Sequence, residues 1–287
     1  MTQRVAGLTL LCVTAIWGST FFLIKELLYR LPVADFLAVR FAIAAVVLFM
    51  FAPRAVSRLS PQIRRRSLYA GAIYAVAQIA QTAGLAHTDA SVSGFVTGMY
   101  VVATPVLAAL IFGQRVPRVV WLAVALSTIG LAILSLRGFS VGYGEFITFL
   151  SALLYALHII ALSRWATAKD AYAMATIQMA VIAAICMIVA SPGGIEFAQS
   201  ARDWAIVLYM AVAASALAML GQTWAQSHLS APRAAILMTM EPVFAAFFAI
   251  LFGGENLGIR VVIGGIFVLS AMLIAELTAA REPTRAS

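Results

Sequence analysis

Ten apolar runs of about 20 residues, separated by short gaps, constrain this chain more than any other feature. At 1.5 Å rise per residue such a run crosses a hydrocarbon core. The runs fall at 6–28, 34–52, 67–86, 90–112, 117–136, 143–163, 172–190, 204–226, 231–252 and 257–278 of 287 residues, leaving connections too short for an extramembrane domain. The first run follows Arg4 as a secretory signal would. It continues apolar through Trp17 to Leu28 without a small-residue cleavage site, so it is expected to be retained. With 10% charged and 63% hydrophobic residues, the chain cannot cover itself with charge, and its solvent is lipid.

The cations follow membrane topology. A net charge of +8 on a soluble protein would suggest nucleic acid, but here the Arg and Lys residues sit mostly in the gaps between runs, so no nucleic-acid partner is expected. With the N-terminus inside, 13 of them fall on the cytoplasmic side, five between Arg54 and Arg66, against 5 on the other, namely Lys25, Arg30, Arg137, Arg202 and Arg260. Lys and Arg concentrate on the cytoplasmic side of membrane proteins, which places both termini there and predicts a multi-pass protein of a bacterial inner membrane. Cys12 and Cys186 lie inside apolar runs, and His87, His158 and His228 are isolated, so neither a disulfide framework nor a metal site is expected.

Five runs repeat as two sets. A shift of 138 brings Trp17 onto Tyr155 and Arg40 onto Gln178; a shift of 141 brings Gln114 onto Glu255, Ala123 onto Gly264 and Leu126 onto Phe267. An odd number of spans per set makes the second copy enter from the opposite face. The expected fold is an all-α membrane protein, ten transmembrane helices in two inverted five-helix repeats, residues 1–138 and 139–287 of one transmembrane domain. Such halves around a midplane site are the architecture of alternating-access carriers.

Short stretches carry a family resemblance. Ala15-Ile16-Trp17-Gly18-Ser19-Thr20-Phe21-Phe22 with Lys25, Arg40-Phe41, Gly94 to Val102 with Thr104-Pro105, and Glu241-Pro242-Val243-Phe244-Ala245-Ala246 running to Gly254-Glu255 occur in order along nearly the whole chain. The chain thereby resembles EamA-type members of the drug/metabolite transporter superfamily, and within it amino-acid and metabolite exporters. It departs from the family pattern at Gly113-Gln114-Arg115, where Gly-Glu-Arg is typical. The resemblance implies export of a small organic solute.

The residues able to act on a solute lie within the spans. Glu241 is 11 residues beyond Ser230, a candidate helix cap, and so about 16 Å deep. A carboxylate there costs roughly 3 kcal/mol on insertion scales, and intramembrane acids usually serve a function, although a protonated one can also bond a neighbouring helix. Pro242 beside it and Pro105 in the fourth run each lack an N–H and free the carbonyl four residues back. Counted from Ala231 and Ser91, the two prolines differ by one turn, which predicts kinks of unequal depth with a gating role open to them.

Polar residues recur at helical spacing: Tyr74, Gln78 and Gln81; Ser93, Thr97, Tyr100 and Thr104; Ser215, Met219, Gln222 and Gln226. These stripes either line a wet cavity or bond helix to helix. Trp17, too deep for an interfacial belt, and Tyr155 offer flat surfaces for stacking or packing. His158 suits either a cavity wall or a neutral structural bond. Arg40, a few residues inside the outer boundary, can snorkel, and an orienting role is expected of it rather than contact with solute.

Other classes lack their signatures. No phosphate-binding loop is present, so no nucleotide cofactor is expected, and Gly142-Tyr143-Gly144-Glu145 has Glu where a membrane aspartyl protease needs Asp. The substrate expected is a small zwitterion such as an aromatic or neutral amino acid, its ammonium at Glu241 or a freed carbonyl and its side chain on the aromatic wall. A lipophilic cation is the alternative, with a channel or an intramembrane enzyme behind it. Oligomeric state is left open, a monomer being sufficient.

Overall fold

The computed structural model describes residues 2–51, 53–113, 118–137, 140–167, 169–226, 228–229, 237–256 and 258–281. The described chain is helical apart from one two-residue ribbon. In order the elements are α1 (Thr2–Leu27), α2 (Val33–Phe51), α3 (Pro53–Ser57), α4 (Pro61–Leu85), α5 (Ala90–Gly98), α6 (Tyr100–Ile111), α7 (Arg118–Ser135), β1 (Leu136–Arg137), β2 (Ser140–Val141), α8 (Tyr143–Trp165) and α9 (Ala171–Ala190). A 3-10 turn (Ser191–Gly193) leads to α10 (Ala201–Tyr209), a π-helical stretch (Met210–Leu217), α11 (Ala218–Gln226), α12 (Glu241–Leu251) and α13 (Ile259–Arg281). β1 and β2 pair antiparallel, Leu136 opposite Val141.

Lipid is the solvent this surface fits. Among the described residues six helical stretches are long and apolar enough to cross a bilayer, and shorter apolar helices occupy Trp121–Leu134, Glu241–Leu251 and Ile259–Ile274. Side chains such as Phe49, Met50, Leu110, Phe247 and Ile266 point outward, while Arg40, Gln78, Gln178, Gln222 and Glu241 are buried. That is the reverse of a water-soluble protein. α4 is not among the six, because its 25 residues carry Arg64 to Arg66 at one end and Tyr74, Gln78 and Gln81 farther along. It starts earlier than the run at 67–86 predicted, since Ser60 caps it by accepting from Ile63 N–H at 3.3 Å and Pro61 occupies the first turn, where a missing N–H costs nothing.

The most extensive helix contacts join segments far apart in sequence: α7 with α13, α4 with α8, and α2 with α9. At the α7–α13 crossing, glycines let backbones touch: a Cβ on Gly130 would stand 2.8 Å from the Gly264 carbonyl oxygen. Ion pairs tie the connections at one end of the bundle. Arg30 meets Asp203 at 2.6 Å, Arg202 meets Glu26 at 2.9 Å and Lys25 meets Asp89 at 3.2 Å. The hydrogen bonds that the Arg30 guanidinium donates to Asp203 hold its pKa above the ordinary range. Glu255 accepts the N–H groups of Ala90 at 2.6 Å and Ser91 at 3.2 Å, placing a carboxylate at the positive end of α5.

The helix irregularities differ from those expected at the prolines. In the fourth run the helix breaks at Met99, and Pro105 lies inside α6. In the ninth, Leu237 and Met238 are helical, Thr239 and Met240 form a turn, and Pro242 sits in the first turn of α12, so Glu241 stands where α12 starts, just past a break. Met99 N–H bonds the Val96 carbonyl and Met240 N–H the Leu237 carbonyl, both at 3.2 Å and both three residues back. The two breaks are therefore matched under the shift of 141, while Pro105 and Pro242 stand about one turn out of register with it. Ser230, Ala231 and Gln114 lie outside the described residues.

Candidate solute-binding cavity

A buried carboxylate stands at a helix start. α12 begins at Glu241, and the carboxylate Oε2 accepts the Tyr100 hydroxyl at 2.9 Å across the bundle, from the residue that opens α6. Both are buried. Around this bond lies a cavity of about 550 Å³, counting the space open at its mouth.

Ten of the residues singled out from the sequence line it: Trp17, Tyr74, Gln78, Gln81, Thr97, Tyr100, Tyr155, His158, Gln222 and Glu241. They are not loose. Tyr155 donates its hydroxyl to Gln81 Oε1 at 2.7 Å, Gln81 Nε2 donates to Thr97 Oγ1 at 3.2 Å, and Gln78 Nε2 donates to the Tyr74 oxygen at 2.8 Å. The Tyr74 ring lies 5.7 Å from Tyr155 and 4.8 Å from His158, and Tyr155 lies 6.5 Å from Tyr100, forming a continuous aromatic wall. His158 Nε2 bonds Gln178 Oε1 at 2.7 Å, while the Gln178 amide donates to the Met174 carbonyl at 3.2 Å and so fixes its orientation. That leaves the imidazole donating through Nε2, with its face on Tyr74.

Other stripe members do not reach the cavity. Thr104 donates back to its own helix at the Tyr100 carbonyl, and Ser93 is buried away from it. Pro105 and Pro242 are absent from the lining. Gln226 bonds Met238 Sδ at 3.4 Å.

Two features were missed by sequence reasoning. Arg40 does not snorkel: it is 3% exposed, lines the cavity, and its Nε donates to Ser215 Oγ at 2.8 Å. Snorkelling requires a lipid-facing stem, and the pattern of α2, apolar all round, did not reveal which face looks inward. The second is the π-helical stretch, where Ser215 Oγ donates to the carbonyl of Met210, five residues back, and Trp17 Nε1 donates to the Ala214 carbonyl at 2.9 Å. Such stretches collect at functional sites, and no residue pattern marks this one.

A lipid-faced helical bundle with a polar cavity among its helices is the architecture of a membrane carrier. The chain belongs to the EamA-like transporter family, whose model matches residues 5–136 and again 142–276. It is a multi-pass membrane transporter, not an enzyme. It is 27% identical over 277 residues to a protein of Archaeoglobus fulgidus named "Uncharacterized transporter", covering 95% of this chain and 86% of that one. It is also 26% identical over 268 residues to the "Pseudopaline exporter CntI" of Pseudomonas aeruginosa, covering 89% and 90%. A crystal structure of a protein with 17% identity superposes with a TM-score of 0.68 over 97% of this chain and 98% of that one, a likeness of fold.

Proposed function

We propose that the protein is a secondary exporter of small organic solutes, amino acids with aromatic or neutral side chains or related metabolites, working by alternating access. Ten spans in two inverted halves, 1–138 and 139–287, form the carrier, in a bacterial inner membrane with both termini cytoplasmic. The separate family match to each half supports the division, as do the equivalent breaks at Met99 and Met240. The observation that carries the reading is the Tyr100–Glu241 bond, because it joins the two breaks inside the cavity. A solute ammonium competing for Glu241 would disturb the contact between the halves, coupling binding to their movement. The aromatic wall would take the side chain.

Export of small metabolites accords with the named activity of the Pseudomonas relative. A lipophilic cation is the second reading, favoured by the same acid and rings; the buried Arg40 in the same wall opposes it by repulsion.

Purified protein in liposomes should give saturable flux of phenylalanine or tryptophan, with intact solute recovered. Current rising linearly with concentration, without saturation, would instead be channel behaviour and would overturn the carrier reading. Orientation has its own test. In a background lacking Cys12 and Cys186, single cysteines at the exposed positions His87 and Glu196 should react with an impermeant thiol reagent added outside intact cells, and one at exposed Arg54 should not. Outside labelling of Arg54→Cys would reverse the topology.

A further inference from the structure

One charged group in the cavity wall has no task in the reading above. The Arg40 guanidinium is 3% exposed, with Ser215 Oγ at 2.8 Å from Nε and the Phe41 and Phe36 ring centroids 4.9 and 5.9 Å from Cζ. Among the described residues it makes no ion pair. A guanidinium does not lose its proton in a protein, so burial leaves a full positive charge. A hydroxyl and two ring faces do not neutralise it, and an uncompensated buried charge is expensive. The cavity that Arg40 lines is where compensation can enter.

The surroundings also fix which part of the side chain is left over. Ser215 is held by donating its own hydroxyl to the Met210 carbonyl at 2.9 Å, so it can only accept from Arg40. That anchors the Nε edge and leaves the four N–H donors of the two terminal nitrogens. Paired donors in one plane match the two oxygens of a carboxylate.

We infer that Arg40 is the carboxylate-reading residue of the cavity, an inference that rests on the reading of that cavity as the solute site. The wall then has two poles. Arg40 and Glu241 line the same cavity as the Tyr74 and Tyr155 rings, so the aromatic pair shares its wall with both charges. A solute bearing one carboxylate and one ammonium, with an apolar body against the rings, satisfies both charges. A phosphate dianion does not: it needs clustered cations, and here it would face one guanidinium with Glu241 in the same wall.

The test separates the two poles with single-charge probes. Calorimetric titration of the purified protein compares L-phenylalanine, 3-phenylpropionate, which keeps only the carboxylate, phenethylamine, which keeps only the ammonium, and inorganic phosphate. Wild type should bind phenylalanine most tightly and phenylpropionate measurably. Arg40→Gln should weaken both by about 30-fold or more, in line with truncating one side of a buried charge pair. The same variant should bind phenethylamine more tightly, because a repelling cation has left the cavity. If Arg40→Gln does not fold, Arg40→Lys carries the test: it keeps the charge, loses the planar fork and should weaken phenylpropionate by about tenfold. Unchanged phenylpropionate binding in the folded variant overturns the inference, as does a wild type that binds phenethylamine but not phenylpropionate, or one that binds phosphate more tightly than either acid. Phenylpropionate binding that depends on Arg40, together with no amino-acid flux in liposomes, keeps the carboxylate site and overturns the transport reading instead. Binding of none of the probes overturns both.

Discussion

Glu241→Gln is expected to lower flux of ammonium-bearing solutes by about 30-fold or more, the scale on which removing one charge of a buried pair acts. The protein should still fold, because the amide oxygen can accept the Tyr100 hydroxyl that the carboxylate accepts at 2.9 Å. Only the charge is lost. Tyr100→Phe should act more weakly, since it removes one hydrogen bond to a charged group, worth about 1.5–3 kcal/mol, and leaves the acid in place. Flux of purified variants in liposomes, measured across a pH series, reads both effects. Should the carboxyl carry a coupling proton, Glu241→Gln also flattens the pH dependence. Wild-type rates with an unaltered profile would mean that Glu241 only joins helices.

The second large effect is structural. Gly18 on α1 packs against the α12 backbone, and a Cβ built there would stand 2.8 Å from the Ala245 nitrogen and 2.9 Å from the Phe244 carbonyl carbon. Backbone atoms cannot swing aside as a side-chain tip can, so even Gly18→Ala must part the two helices. Overpacking of this kind costs about 3 kcal/mol or more when relaxation is blocked. The thermal midpoint in detergent should fall by roughly 6–12 °C, with lost flux because α12 carries Glu241. Gly7→Ala on the same helix is the control, since its nearest neighbour would be the Leu237 side chain at 3.7 Å, ordinary contact. Equal midpoints for the two variants would refute the close approach.

How much of this was written in the sequence depends on what each residue must satisfy. Tyr74, Gln78, Gln81 and Gln222 were legible because a polar group facing lipid goes unsatisfied, so a polar stripe on an apolar helix can only turn inward. Glu241 was legible for the same reason. Inwardness alone does not separate cavity from interhelical bond, which is why Thr104 and Ser93 shared the pattern with Thr97 and Tyr100 without reaching the cavity. The prolines did not show where the helices break: Pro105 lies inside α6 and Pro242 in the first turn of α12, while the breaks fall before them at Met99 and Met240. Arg40 was misread because an arginine near a span's end has two escapes from lipid, upward to the interface or sideways into the bundle, and the local sequence is the same for both. Nothing local encodes the π-helical stretch at Met210–Leu217, whose freed Ala214 carbonyl is met by Trp17 from a helix almost 200 residues earlier.

The preference of α2, α4 and α7 for partners in α9, α8 and α13 bears on how the chain is made. Synthesis runs at roughly 5–20 residues per second, so α13 follows α7 by roughly ten to thirty seconds. Early in that interval Arg40 and Gln81 are already made, whereas their partners Ser215 and Tyr155 are not. The nascent chain must hold those groups against water, headgroups or an insertion factor until α8 and the π-helical stretch arrive. A ribosome stalled before residue 143 would strand them uncovered, leaving a substrate for membrane quality control rather than a carrier.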